Sequence, residues 1–269
     1  MTVFTVEGFG NHDHHWFVAD HGAQVMAWQP FGNHQRVLWS APDDLWEVSP
    51  DDPDGGVLRG GIPTCLPWFG RADEPLHGTA RRHTWERLEA ELVDMELHTT
   101  HWLLLDGLEA TQRVTMTGHD LQVRVSITNT GDQPRRVEAA HHTYLAVGGV
   151  DSCRISGLGG TPVWDAAADT VGTQPEGDLL IGPNTDRVHV ADGPLELVDD
   201  PWQRTIRIER EGFPQVVVWN SRPAVDAGLG VTNDRWDEFV CIESAMVREH
   251  ALDLASGATH ELLTRISLV

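Results

Sequence analysis

The chain has 269 residues, with 41 Asp and Glu against 19 basic residues, every one of them Arg, and a formal net charge of -22. So acidic a chain repels nucleic acid and anionic lipid alike, and the absence of lysine excludes Schiff-base chemistry and a phosphate-loop lysine. Hydrophobic content of 40%, with no run approaching the ~20 apolar residues that span a bilayer, reads as a soluble, cytoplasmic protein with a sizeable core and neither a nucleic-acid nor a membrane partner.

The N-terminal HDHH (12–15) puts His12 and His14 on one side of an extended chain, but nothing elsewhere completes a metal set, so it reads as an exposed polar loop. AQVMAW (23–28) and RVLWS (36–40) follow as strand candidates. LRGGIPTCLPWFG (58–70) packs Gly60–Gly61, two prolines and Trp68–Phe69 into thirteen residues, the composition of a rigid loop with an aromatic surface suited to a sugar ring. LHGTARRHTW (76–85) then gathers scarce cations. Arg59 and Arg81 are natural ligands for phosphate or carboxylate, because a guanidinium fork matches either bidentately. Two salt bridges in an acidic protein account for them equally well on local grounds.

HWLLLD (101–106), LEATQRVTM (108–116) and LQVRVSIT (121–128) continue the strand pattern. In the last of these, Leu121, Val123, Val125 and Ile127 alternate with polar residues, the period-two mark of a half-buried strand. TGHD (117–120) predicts a hairpin turn before it. PRRVEAAHHTYLAV (134–147) predicts one strand, with His142, Tyr144 and Ala146 on one face and His141, Thr143, Leu145 and Val147 on the other. The stretch 165–180 reads as a polar connection. RTIRIER (204–210), QVVVWN (215–220), FVCIES (239–244) and ELLTRISLV (261–269) complete the strands. Helical periodicity is weak throughout and no linker divides the chain, so the sequence predicts a single all-β domain over residues 1–269, built as a large antiparallel sandwich.

Two ionisable groups stand out in apolar strands: His142, and Glu243, which shares a face with Phe239 and Cys241. A buried histidine alone is ordinarily structural, but an unpaired buried carboxylate is expensive, and together the two form a candidate acid–base couple. Cys65, Cys153 and Cys241 are widely spaced with no C-x-x-C, which reads as free thiols and no cysteine-built zinc site. LRGGIP and GLGG lack the strand–helix context of a nucleotide loop, and there is no G-x-S-x-G elbow. No cofactor and no metal are expected.

RGGIPTCLPWFG, HGTAR, HTYLAVG, TDRV, VVWN and FVCIESA, in that order, resemble the hexose-6-phosphate mutarotases, the glucose-6-phosphate 1-epimerase branch of the aldose 1-epimerase, galactose-mutarotase-like superfamily. The resemblance runs from about Gly22 to the C-terminus. It implies a β-supersandwich and a cofactor-independent isomerase that interconverts the anomers of a hexose 6-phosphate, a small-molecule partner. It further implies His142 as general acid and Glu243 as general base, with Arg59 and Arg81 near the phosphate. His77, Asp165 and Trp219 are implied to line the sugar. Leu76, Gly148–Gly149, Ala166, Arg82 and His83 depart from the family pattern. A mutarotase of unphosphorylated aldoses, or a non-catalytic carbohydrate-binding protein on the same sandwich, are the competing readings.

Overall fold

In the computed structural model, residues 16–33, 35–41, 56–221 and 235–269 are described; the HDHH segment lies outside them. Among the described residues there is no α-helix, only short 3-10 turns between strands. Two large sheets dominate. The nine-stranded one runs, in spatial order, Leu179–Leu180, Cys153–Ser156, Leu195–Asp199, Arg204–Glu211, Thr259–Leu268, Asp120–Asn129, Leu108–Met116, Glu96–Leu105 and Glu86–Val93. The eight-stranded one runs Thr170–Thr173, Pro162–Asp165, Asp186–Val190, Gln215–Trp219, Phe239–Met246, Ala139–His141 and Thr64–Cys65, with Tyr144–Ala146 also pairing with Phe239–Met246. Every pairing between these strands is antiparallel, as the hairpin-rich sequence predicts.

The sheets pack face to face through a core in which Leu145, Val216, Val218, Val240 and Ile242 of the smaller sheet meet Val114, Leu121, Val123, Ile206, Ile208 and Ile266 of the larger. Alternation then fixes the rest. Because Val240 and Ile242 point into the core, Phe239, Cys241 and Glu243 point out of the opposite face, beside Tyr144, Val217 and Trp219. Three side-chain hydrogen bonds cross between the sheets behind that face. Thr264 donates its hydroxyl proton to Ser244 Oγ (2.7 Å) and accepts from His141 Nδ1 (2.8 Å). Thr64 Oγ1 donates to Gln112 Oε1 (2.5 Å). His141 and Ser244 sit opposite one another in register, so this bridge ties the strand that His142 directly follows to the strand that carries Glu243.

Three expectations are corrected by the structure. PRRVEAAHHTYLAV is not one strand. Arg135–Val137 turns away to pair with Leu252–Leu254, and the Thr143 N–H bonds back to His141 O (2.9 Å), which interrupts the ladder before Tyr144. The facing of His142 with Tyr144 is nonetheless preserved, their rings stacked at 4.8 Å. RVLWS forms only isolated bridges, Leu38 to Leu145 and Ser40 to Gly60. The polar stretch 165–180 holds the hairpin that joins Pro162–Asp165 to Thr170–Thr173, an edge strand exposed at every residue and so without hydrophobic alternation.

Burial pushes the His141 imidazole down to about 3. Between that value and the ordinary imidazole value of about 6.5, the unfolded chain binds a proton that the native chain does not, so stability falls as pH falls through this window. The loss of melting temperature between pH 7.5 and pH 5.5 is therefore expected to be smaller in His141→Gln than in the wild type. Equal pH slopes in the two proteins would contradict this origin.

Candidate active site

On the outward face of the smaller sheet, His142 Nε2 and Glu243 Oε1 are 3.4 Å apart, with only 5% and 1% of each residue exposed. His142 is held by its backbone N–H on Pro63 O (2.9 Å), Glu243 by its place opposite Val217 in the centre of the sheet. Both respond to burial first. The imidazole is pushed down to about 3, helped by the nearby Arg81 and Arg59 charges. The carboxyl is pushed well above the ordinary carboxylate range, with the Asp186 charge adding to burial and Arg81 opposing it. Both shifts favour the uncharged forms, a neutral imidazole beside a protonated carboxyl. His142 Nδ1 and Glu243 Oε2 have no hydrogen-bond partner, so each has capacity left for a polar ligand.

The loop 58–85 brings the other expected residues. Gly61 is left-handed (φ +64°), and a Cβ there would lie 2.0 Å from Val25 O, so only glycine lets this loop press against the neighbouring segment. Gly78 meets the same demand (φ +75°, Cβ 2.0 Å from Leu66 O), and Leu66 O accepts from Thr79 and Ala80 N–H at 2.9 and 3.1 Å. This anchors the turn carrying Arg81. The buried Glu138 carboxylate takes the Phe69 and Arg248 N–H groups (3.0 and 2.8 Å) and fixes the far end of the loop. Phe69 then packs edge-on to His77, centroids 4.7 Å apart.

His77 lies edge-on to His142 at 5.1 Å. Its Nδ1 accepts the Gly70 N–H (3.2 Å), and burial with the His142 and arginine charges drives its protonation well below the ordinary range. A neutral ring with Nδ1 accepting must carry its proton on Nε2, available to donate. Trp219 stands edge-on to His142 at 6.0 Å, and Tyr144 and Phe239 complete an aromatic wall. Asp165 is not in this group. It alternates with Trp164, which packs on the site face, and its carboxylate binds Arg187 Nε (3.2 Å) and the Ala168 N–H (3.0 Å). Asp186 has that place instead: it is opposite Trp219, which is opposite Cys241, so all three share the face, and burial raises its carboxyl. The signal for Asp186 lay in the TDRV motif. Leu76 contributes through its backbone, its carbonyl accepting from Arg81 Nη2 (2.8 Å).

Arg81 is 4% exposed, its Nε has no partner, and among the described residues neither it nor the half-buried Arg59 forms an ion pair. A buried guanidinium without a counter-ion is costly and waits for an anion. His142, His77 and Tyr144 all feel both arginine charges, so an anion held there would lie near the His142–Glu243 pair. Replacing Arg81 with Met is therefore expected to leave the melting temperature unchanged or raise it. Inorganic phosphate should stabilise the wild type and not this variant. A lowered melting temperature in Arg81→Met, with phosphate acting equally on both, would instead assign Arg81 to structure.

The chain is also similar to known proteins. Residues 9–267 match the aldose 1-epimerase family. A protein of Escherichia coli K12 named "Putative glucose-6-phosphate 1-epimerase" is 30% identical over 250 residues, covering 85% of this chain and 78% of its own. A protein of the same name from Salmonella typhimurium is 30% identical over 239 residues, covering 83% and 76%. The crystal structure of a "putative mutarotase (YeaD)" from Salmonella typhimurium superposes with a TM-score of 0.83 at 24% identity, covering 96% of this chain and 88% of that one.

Proposed function

Because this chain belongs to the aldose 1-epimerase family and is an isomerase, we propose that it interconverts the α and β anomers of a hexose 6-phosphate, glucose 6-phosphate foremost, on the His142–Glu243 pair. One juxtaposition carries the reading: a buried acid–base pair beside two guanidinium groups that no carboxylate of the described chain neutralises. The first supplies proton transfer at C1 and the ring oxygen, the second a seat for the phosphate.

The chemistry needs one mobile proton. With substrate bound, the proton of the pair sits on His142. Glu243 takes the C1 hydroxyl proton as the bond from C1 to the ring oxygen breaks, and His142 delivers its proton to that oxygen. The open-chain aldehyde now faces a protonated Glu243 and a neutral His142. After rotation about the C1–C2 bond, closure on the other face reverses both transfers and restores the starting distribution, with no net gain or loss of protons. The open-chain stage thus carries the proton distribution that burial favours in the pair. His77, donating from Nε2, and Asp186, accepting, orient sugar hydroxyls. Phe69 and Trp219 cover the apolar faces of the ring.

Anomer exchange followed by NMR tests this. Exchange of glucose 6-phosphate is expected to exceed that of glucose, and His142→Asn and Glu243→Gln should remain folded yet lose roughly 10²–10⁴-fold in rate, the usual worth of one positioned acid or base. Exchange within threefold of wild type in either variant would sink the mechanism. Equal rates on both sugars would transfer the function to unphosphorylated aldoses.

A further inference from the structure

We propose that His142, Cys241 and Glu243 bind a single zinc ion, and that zinc held there blocks the isomerase. Cys241 has no part in the proton transfers above. Its thiol is nonetheless buried on the same face, two residues from Glu243 in the Phe239–Met246 strand and directly across the sheet from Tyr144 and Trp219. One donor atom from each of the three residues lies within 4.8 Å of the other two.

A tetrahedral ion with bonds of about 2.0–2.3 Å wants its donors about 3.3–3.8 Å apart. His142 Nε2 and Glu243 Oε1, at 3.4 Å, already meet that spacing. Only the thiol has to close in, by up to about 1 Å, which a small rotation about its side-chain bond supplies. Imidazole, thiolate and carboxylate are donors zinc accepts together, and three protein ligands leave a fourth position for a water molecule. The second observation is unused polar capacity on the ligating carboxylate: Glu243 Oε2 is buried without a partner, on a residue that is 1% exposed.

Arg59 and Arg81 do not forbid the ion. Binding expels the thiol proton and the proton shared by the His142–Glu243 pair, so two positive charges leave as two arrive and the net charge of the site is unchanged. The ion occupies both groups that move protons, so it competes with the sugar. This inhibition rests on the proposed isomerase reading; the binding does not.

The full chain is titrated with Co²⁺, a spectroscopic stand-in, and then with Zn²⁺. A thiolate-to-cobalt charge-transfer band saturating at one equivalent per chain is expected, displaced by zinc and absent from Cys241→Ala. Cys241→Ser, which keeps the volume of the side chain, serves as the second variant should the alanine protein fail to fold. Zinc should inhibit anomer exchange competitively with glucose 6-phosphate, reversibly on adding a chelator, and the variant should keep its basal rate while needing on the order of 100-fold more zinc for the same inhibition. No charge-transfer band, a band that persists without Cys241, or equal zinc sensitivity in both proteins overturns the site. The optical measurement uses no substrate, so a failure of the sugar-phosphate reading leaves it standing and is told apart from a failure of the site.

Discussion

His142 and Glu243 touch where almost no water reaches them, and that exclusion is what the surrounding structure serves. In water this couple would hold a carboxylate and, below about pH 6.5, an imidazolium. Buried, both are pushed towards their neutral forms, and the proton that would have made an ion pair stays between them, ready to move. The cost of such a couple is met by rigidity. Each side chain of the couple has a neighbour, His141 or Ser244, that points the other way and is tied through Thr264 to the second sheet. The spacing of the couple is set from behind.

The arginines complete the electrostatics. The chain is strongly acidic overall, yet near the couple lie the buried Arg81 and the half-buried Arg59, neither paired with a carboxylate among the described residues. Under the proposed reading, a phosphorylated sugar entering here would move from a repelling acidic surface to a site that favours an anion. Slower encounter from the surface repulsion is expected, with selectivity gained at the site. Asp186 has a different task. It raises the Glu243 carboxyl further and offers an acceptor on the same face.

Much of this was legible in the sequence, and the exceptions share a cause. FVCIESA is a central strand flanked on both sides, so strict alternation put Glu243 and Cys241 on one face and Val240 and Ile242 in the core, as found. His142 kept its predicted facing although its strand breaks beside it, because the break, a bond from Thr143 N–H to His141 O, leaves the side-chain alternation intact. The exposed Thr170–Thr173 strand was invisible because a strand that buries nothing writes no hydrophobic pattern. Asp165 and Asp186 could not be ranked without the register that pairs Asp165 with Arg187 and Asp186 with Trp219. That Arg81 is buried and lacks an ion pair among the described residues is equally a matter of tertiary packing, its Nη2 donating to the chain's own carbonyl at Leu76.

The neutral character of the buried couple is tested most directly by infrared spectroscopy of the unliganded protein with isotope-labelled glutamate. At pH 7 a protonated-carboxyl stretch belonging to Glu243 should be present. It should disappear in Glu243→Gln and persist well above the pH at which an ordinary glutamate ionises, about 4.3. A spectrum at pH 7 with only carboxylate bands, unchanged by that substitution in the protonated region, would show that Glu243 is already charged and that burial does not hold the proton on the couple in the way described.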